Sequence, residues 1–276
     1  MRKIIHLSDI HFGRVDYATV QPLIQIVKEI APHITVVSGD LTQRARSAQF
    51  KEARLFLDSL PKPQIVVPGN HDVPLYNVFA RFLAPLEKYR RYITDDLTPF
   101  YHDEEIAVLG MNTARSLTIK DGRINELQIE KIREKLCPFG ESVTKIIVTH
   151  HPFDLPEGHG REEDLLGRAQ LAMKTLAGCG ADVLLAGHLH LSYTSHTSTR
   201  YKIEGHSALV IQAGTAISTR GRGETNSFNV IRVEHPRIEV ERFTWQPETA
   251  IFKATAPEHF HHTAEGWRRV AVVSAP

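Results

Sequence analysis

Ten side chains able to bind a cation or move a proton fall in five short clusters along this chain. Asp9 and His11 lie in HLSDIHFG, Asp40 in VVSGDLT, and Asn70, His71 and Asp72 in IVVPGNHD. His150 and His151 lie in IIVTHHP, and His188 and His190 in VLLAGHLH. Two aspartates, one asparagine and four histidines would supply seven oxygen and nitrogen donors, more than one divalent ion can use; two ions sharing a bridging carboxylate would use them all. The set holds no thiolate, which argues against a structural zinc site and for Mn, Fe, Zn or a mixture of these.

Each cluster follows a short run of Ile, Val and Leu, the composition of a buried strand. Strands are expected at Lys3 to Leu7, Ile34 to Ser38, Gln64 to Val67, Ile106 to Gly110, Lys145 to Thr149 and Val183 to Ala186. Helical spacing of apolar residues is read at Val20 to Ile30, Ser47 to Leu60, Asn77 to Tyr92, Glu126 to Leu136 and Leu165 to Ala177. Strands alternating with helices make an α/β layered fold, and open α/β sheets place ligand sites at the carboxyl ends of their strands. Gly39, Gly69 and Gly187 stand immediately before clustered residues, where the lack of a Cβ lets the chain pass close to a cation. Later runs at Ala208 to Gln212, Asn229 to Val233 and Ile238 to Thr244 have no helices between them and read as an antiparallel meander. A single domain spanning 1–276 is expected, with a less regular tail from about residue 246.

The 276 residues carry 33 Lys plus Arg against 32 Asp plus Glu, a formal charge of +1 that offers no global attraction for a long polyanion. Nucleic acid is therefore not the expected partner. No apolar run approaches the roughly 20 residues of a membrane span, and polar residues interrupt the segment Met1 to Gly13 where a signal peptide would need an apolar core. Cys137 and Cys179 read as small buried fillers, which with their scarcity points to a reducing, cytoplasmic compartment.

The motifs DIH, GDLT, GNHD, VTHHP and GHLH, in this order, resemble the calcineurin-like metallophosphoesterase superfamily over roughly residues 1–220. The resemblance implies a four-layer α/β/β/α sandwich of two mixed β-sheets. It implies one metal held by Asp9, His11 and His190 with Asp40 bridging, and a second held by Asp40, Asn70, His150 and His188. His71 becomes an acid that touches substrate, and His151 stands behind the ligands. The DIHFG, GDLTQ and GNHDVP forms look most like class III cyclic nucleotide phosphodiesterases, although those relatives often carry an aspartate where Gln43 stands.

The function expected is hydrolysis of phosphodiesters such as 3',5'-cyclic nucleotides, with hydroxide bridging the two metals as nucleophile. Rival readings are a phosphomonoesterase or nucleotide pyrophosphatase, a DNA exonuclease, and a non-catalytic scaffold, which is expected to lose metal ligands. A hydrolase of lipid-linked substrates would show an apolar helix near the site. Val78, Phe79, Phe82, Leu83 and Leu86 are the candidates, and core packing is their simpler explanation. Asp72 could orient a loop, Asn112 and Thr113 could brace the site, and His159 or Arg161 could meet substrate from a rim at 153–168. His6 reads as a hydrogen-bonded core residue, while His33, His102, His196, His206 and His235 read as solvated. His259, His261 and His262 read as tail residues and not as a third metal site.

Overall fold

The computed structural model describes residues 1–116, 121–156, 160–221 and 223–270. The chain opens with β1 (Arg2–Leu7), α1 (Tyr17–Ile30), β2 (Ile34–Ser38), α2 (Ser47–Ser59) and β3 (Gln64–Val67). Two short helices follow, α3 (Val78–Leu83) and α4 (Glu87–Tyr92). Then come β4 (Phe100–His102), β5 (Ile106–Gly110), α5 (Glu126–Leu136), β6 (Thr144–Val148), α6 (Ala169–Gly178) and β7 (Val183–Ala186). The remaining strands are β8 (Tyr193–His196), β9 (Leu209–Gln212), β10 (Ser227–Glu234), β11 (Arg237–Gln246), β12 (Ile251–Ala254), β13 (Glu258–Thr263) and β14 (Gly266–Val270).

Two mixed sheets result. One runs β14-β13-β11-β10-β1-β2-β3 with β12 beside β11, the other β4-β5-β6-β7-β9-β8. Because side chains alternate across a strand, each buried strand feeds two cores. Ile4, Val36 and Val67 of the first sheet meet Val108, Val148, Leu185 and Ile211 of the second in a shared central layer. Ile5, Val37 and Val66 pack outward on Leu23, Val27, Phe50 and Leu57 of α1 and α2. Leu109 and Ile147 pack outward on Ile129, Ile132, Met173 and Leu176 of α5 and α6. These three cores between layers make the expected α/β/β/α sandwich.

Several expectations are corrected. The helix expected over Asn77 to Tyr92 is two helices, because Pro85 has no N–H to donate and its ring crowds the carbonyl one turn back. Core packing explains Leu86 and Tyr89, which are buried, but not Val78, Phe79, Phe82 and Leu83, which are exposed. Helix α6 begins only at Ala169, since Gly167 N–H is engaged by Gly122 O and Arg168 takes φ 65°. Residues 251–270 form three strands of the first sheet, with Phe252, Phe260 and Trp267 buried, instead of an irregular tail. The meander also divides: β9 joins the second sheet parallel to β7, while β10 and β11 pair in the first.

Cys137 and Cys179 are not fillers but a disulfide joining the C-terminal ends of α5 and α6. A separation of 42 residues hides an adjacency that only helix packing creates. The bond withdraws the cysteine count as an argument for a reducing compartment. Among the described residues, no helix is long and apolar enough to cross a membrane.

Candidate metal centre

Strands β1, β2 and β3 run parallel in one sheet and β6 and β7 run parallel in the other. The five sequence clusters lie at their carboxyl ends, on the seam between the sheets. The backbone there is unusual. Asp9, His11, Asp40, His188 and His190 have φ of 53°, 51°, 51°, 76° and 58°. Non-glycine residues seldom occupy this left-handed region, at a cost on the order of 1 kcal/mol each, and such strain collects at functional sites. The turns are held by Asp9 N–H on Gly39 O (3.1 Å), His11 N–H on Asp40 O (2.9 Å) and Gly187 N–H on His150 O (3.1 Å). Nothing in the sequence announces this geometry beyond the alternating spacing of DIH and HLH.

The side chains form two groups that meet at Asp40. In the first, Asp9 Oδ1 lies 3.2 Å from His190 Nε2 and 3.6 Å from His11 Nε2. The two Nε2 atoms are 3.1 Å apart. In the second, Asn70 Oδ1 lies 3.1 Å from both His150 Nε2 and His188 Nδ1. Asp40 Oδ2 stands between the groups, 3.7 Å from His11 Nε2 and 3.4 Å from His150 Nε2. All seven residues that the sequence suggests as ligands are thus gathered in one place.

The donors fit a pair of cations. Asp9 Oδ1 is buried without a hydrogen-bond partner, an uncommon state for a carboxylate oxygen. His150 Nδ1–H donates to Ser38 O (2.8 Å) and His190 Nδ1–H to Arg220 O (2.9 Å), which turns each Nε2 inward, where a cation would take the place of its proton. The glycines give the space. A Cβ on Gly69 would lie 2.1 Å from Asp40 Oδ1, and one on Gly187 would lie 1.8 Å from Ser8 Oγ and 2.6 Å from Asp9 Oδ2.

Electrostatics point the same way. Burial alone would raise Asp9 and Asp40, yet the surrounding histidines hold both well below the usual carboxylate range. Burial opposes a charge on His150, but Asp40 and Asp9 prevail and push it up to about 9. His11 goes the other way, to about 4, because burial dominates. Two anions at the base of the site therefore keep some imidazoles protonated where cations would otherwise stand.

His71 is half-buried at the edge of this centre. Its backbone N–H donates to Asp40 Oδ1 (2.8 Å), its Nδ1–H donates to Gln43 O (3.0 Å), and its Nε2 accepts from Arg220 Nη1 (2.9 Å). Arg220, on the segment between β9 and β10, carried no sequence signal. Asp72 accepts from the N–H groups of Gly69, Leu41 and Thr42 and from Thr42 Oγ1, which ties the loops after β2 and β3 together. Thr113 Oγ1 lies 2.8 Å from His151 Nδ1, so Thr113 braces the layer behind the candidate ligands. Asp164 Oδ1, 3.7 Å from His188 Nε2, is a contribution of the 153–168 segment that sequence reasoning missed.

Other candidates fall elsewhere. His159 lies outside the described residues, and Arg161 is exposed and paired with Glu163. His259, His261 and His262 sit on β13, and among the described residues no cluster of metal-competent groups includes them. His6 is buried with Nε2 2.9 Å from Ser38 Oγ, as a core histidine should be. Of the histidines read as solvated, His102 is exposed, while His33, His196, His206 and His235 are half-buried.

Known proteins bear on this geometry. The chain is 28% identical over 193 residues to the uncharacterized protein YpbG of Bacillus subtilis, a match covering 68% of this chain and 60% of that one. It is 25% identical to the 3',5'-cyclic adenosine monophosphate phosphodiesterase CpdA of Escherichia coli K12, over 60% of this chain and 58% of that one. It is also 25% identical to the glycerophosphodiester phosphodiesterase GpdQ of Enterobacter lignolyticus, over 59% of this chain and 60% of that one. The matches thus span about 60% of the length of these relatives. In fold, the chain is similar to purple acid phosphatase PPD1 of yellow lupin, with a TM-score of 0.62 at 12% identity over 88% of this chain and 51% of that one. Vps29 of Cryptosporidium parvum aligns with a TM-score of 0.51 at 11% identity, over 94% of this chain and 98% of that one. The calcineurin-like phosphoesterase family model matches residues 2–192, which contain all five clusters, and the chain belongs to that family.

Proposed function

We propose that this chain hydrolyses phosphodiesters at a centre of two divalent cations. One cation would be held by Asp9, His11 and His190, the other by Asn70, His150 and His188, with Asp40 shared. The observation that carries the reading is the position of Asp40 Oδ2 between the two donor groups. When bound, the pair supplies Lewis acidity that acidifies water and offsets the phosphoryl charge. The residues around it do the rest. His71 stands beside Asp40 with Nε2 directed at Arg220, and an anionic phosphate entering here competes for that guanidinium. With Nδ1–H kept on Gln43 O, a proton on Nε2 is placed to reach the departing alkoxide oxygen.

The presence of all seven donors supports catalysis over a scaffold role. The finer expectation, a cyclic nucleotide substrate, is supported by the motif forms and by the similarity to CpdA, and the similarity to GpdQ supports an open-chain diester. The reading commits to the diester bond. To test it, chelator-stripped protein is reloaded with Mn²⁺, Fe²⁺ or Zn²⁺ and given cyclic nucleotides, open-chain diesters, monoesters, pyrophosphates and DNA. Metal-dependent release of alcohol from diesters is expected. Turnover of monoesters or pyrophosphates alone would replace this reading, and two bound metals with no turnover of any substrate would refute catalysis.

A further inference from the structure

Helix α3 is built inside out. Its buried member is Arg81, whose guanidinium donates to Ser116 O (2.7 Å) and Pro74 O (3.0 Å). Val78, Phe79, Phe82 and Leu83 share the opposite face at helical spacing, with Phe79 81% and Leu83 82% exposed. Tyr76, just before the helix, is also exposed. Fold stability does not account for this arrangement, because a helix that packs for stability turns its apolar face inward. A contiguous apolar surface of this kind marks a place where something binds.

The patch adjoins the metal centre through a ring of arginines. Arg14, Arg44, Arg46 and Arg220 border a cleft of 410 Å³. Arg44 and Arg220 also line the neighbouring pocket that holds Asn70 and His71. The Arg44 guanidinium lies 5.4 Å over the ring of Tyr76, two residues before the helix begins, so the basic cleft reaches the start of the apolar segment. Arg14 and Arg46 are exposed, and among the described residues no carboxylate forms an ion pair with Arg14, Arg44 or Arg46.

We propose that residues 76–83 dock on an anionic lipid surface and that the substrate is an acylated phosphodiester drawn from it. Phe79, Phe82 and Leu83 enter the acyl layer, the arginines meet the headgroup charge, and the ester reaches the cations past His71. The arginines beside the patch complement the charge of an anionic headgroup layer, which favours a lipid surface over an apolar protein partner. The chemistry needs only water: a P–O bond forms from water, the P–O bond to the leaving alcohol breaks, and the proton ends on that alcohol.

The inference rests on the phosphodiesterase reading for its chemistry, but its first test does not. Full-length protein is sedimented with vesicles of phosphatidylcholine alone and of phosphatidylcholine mixed equally with phosphatidylglycerol. Binding to the mixed vesicles that weakens with salt is expected, and Phe79→Ser with Leu83→Ser weakens it at least about tenfold, since two exposed apolar side chains lose their burial. Binding by neither protein, or equal binding by both, overturns the proposal. A concentration-dependent dimer lost in the double variant, without vesicle binding, assigns the patch to a second copy and also overturns it. Tight oligonucleotide binding in place of vesicle binding does the same by giving the arginines to nucleic acid. A second readout compares phosphatidylglycerol with its deacylated counterpart. The kcat/KM ratio favours the acylated ester in the wild type and falls in the double variant. Vesicle binding with no diester turnover would instead refute the catalytic reading and leave the docking surface standing.

Discussion

Asp72 offers a test of how the centre is held together, because its carboxylate contacts no proposed ligand side chain and binds two ligand-bearing loops. It is buried, and that burial together with the charge of Asp40 pushes its pKa up to about 7. Oδ2 accepts from Gly69 N–H (2.9 Å) and Leu41 N–H (3.1 Å). Oδ1 accepts from Thr42 N–H (2.9 Å) and Thr42 Oγ1–H (3.0 Å). In Asp72→Asn the amide can place its oxygen on the Oδ2 side, where it keeps two N–H groups. The amino group then faces Thr42, whose hydroxyl can turn to accept but whose N–H cannot. One buried N–H loses a charged acceptor, a cost of about 1.5 to 3 kcal/mol. Relief of a buried charge beside Asp40 offsets part of it, so about 1 to 2 kcal/mol is expected.

Asp72→Ala abandons three buried N–H groups. Water entering the space recovers some of their bonding, and about 3 to 5 kcal/mol is expected. The two loops carry Asp40 and Asn70, so metal affinity falls roughly tenfold to a hundredfold in the alanine variant, as for other groups that orient ligands. Urea unfolding of metal-free protein gives the stability and calorimetric Mn²⁺ titration gives the affinity. The reasoning fails if the alanine variant unfolds at the wild-type midpoint, or if the asparagine variant is the less stable of the two.

Three further outcomes follow from the same geometry. His150→Ala reduces the bound metal from two ions to one by elemental analysis, while His151→Ala retains two; loss of a metal in the second variant would transfer the ligand role to His151. His71→Ala lowers kcat on an alkyl phosphodiester by roughly 10² to 10⁴ and less on an aryl ester with a better leaving group, and equal losses on both would exclude proton donation. Metal loading near pH 7 releases protons, because His150, held up at about 9 by Asp40 and Asp9 against burial, is protonated until a cation displaces its proton. The release shrinks as pH rises through that value. Calorimetric heats that do not vary between buffers of different ionisation enthalpy would contradict it.

Much of the scaffold could be read locally. Strands such as Ile34–Ser38 and Ile106–Gly110 are continuous β-branched and aliphatic runs, and burial on both faces demands that composition. The chemistry was readable for a related reason: each donor follows its strand directly, so chain position already places it at a strand end. Asp72 and Thr113 were legible as supports on the same ground.

Tertiary structure decided what depends on partners distant in the chain. The convergence of Asp9 with His190, and of Asp40 with both donor groups, requires two sheets to meet at one seam and five non-glycine residues in three loops to adopt left-handed φ. Arg220 reaches His71 across a separation of 149 residues, and Asp164 approaches His188 from a loop with no motif. Cys137 found Cys179 only because α5 and α6 end side by side. The orientation of α3 was hidden most completely. Apolar periodicity shows that one face is hydrophobic, but which way that face points depends on neighbours elsewhere in the chain, and here Arg81 took the inward place.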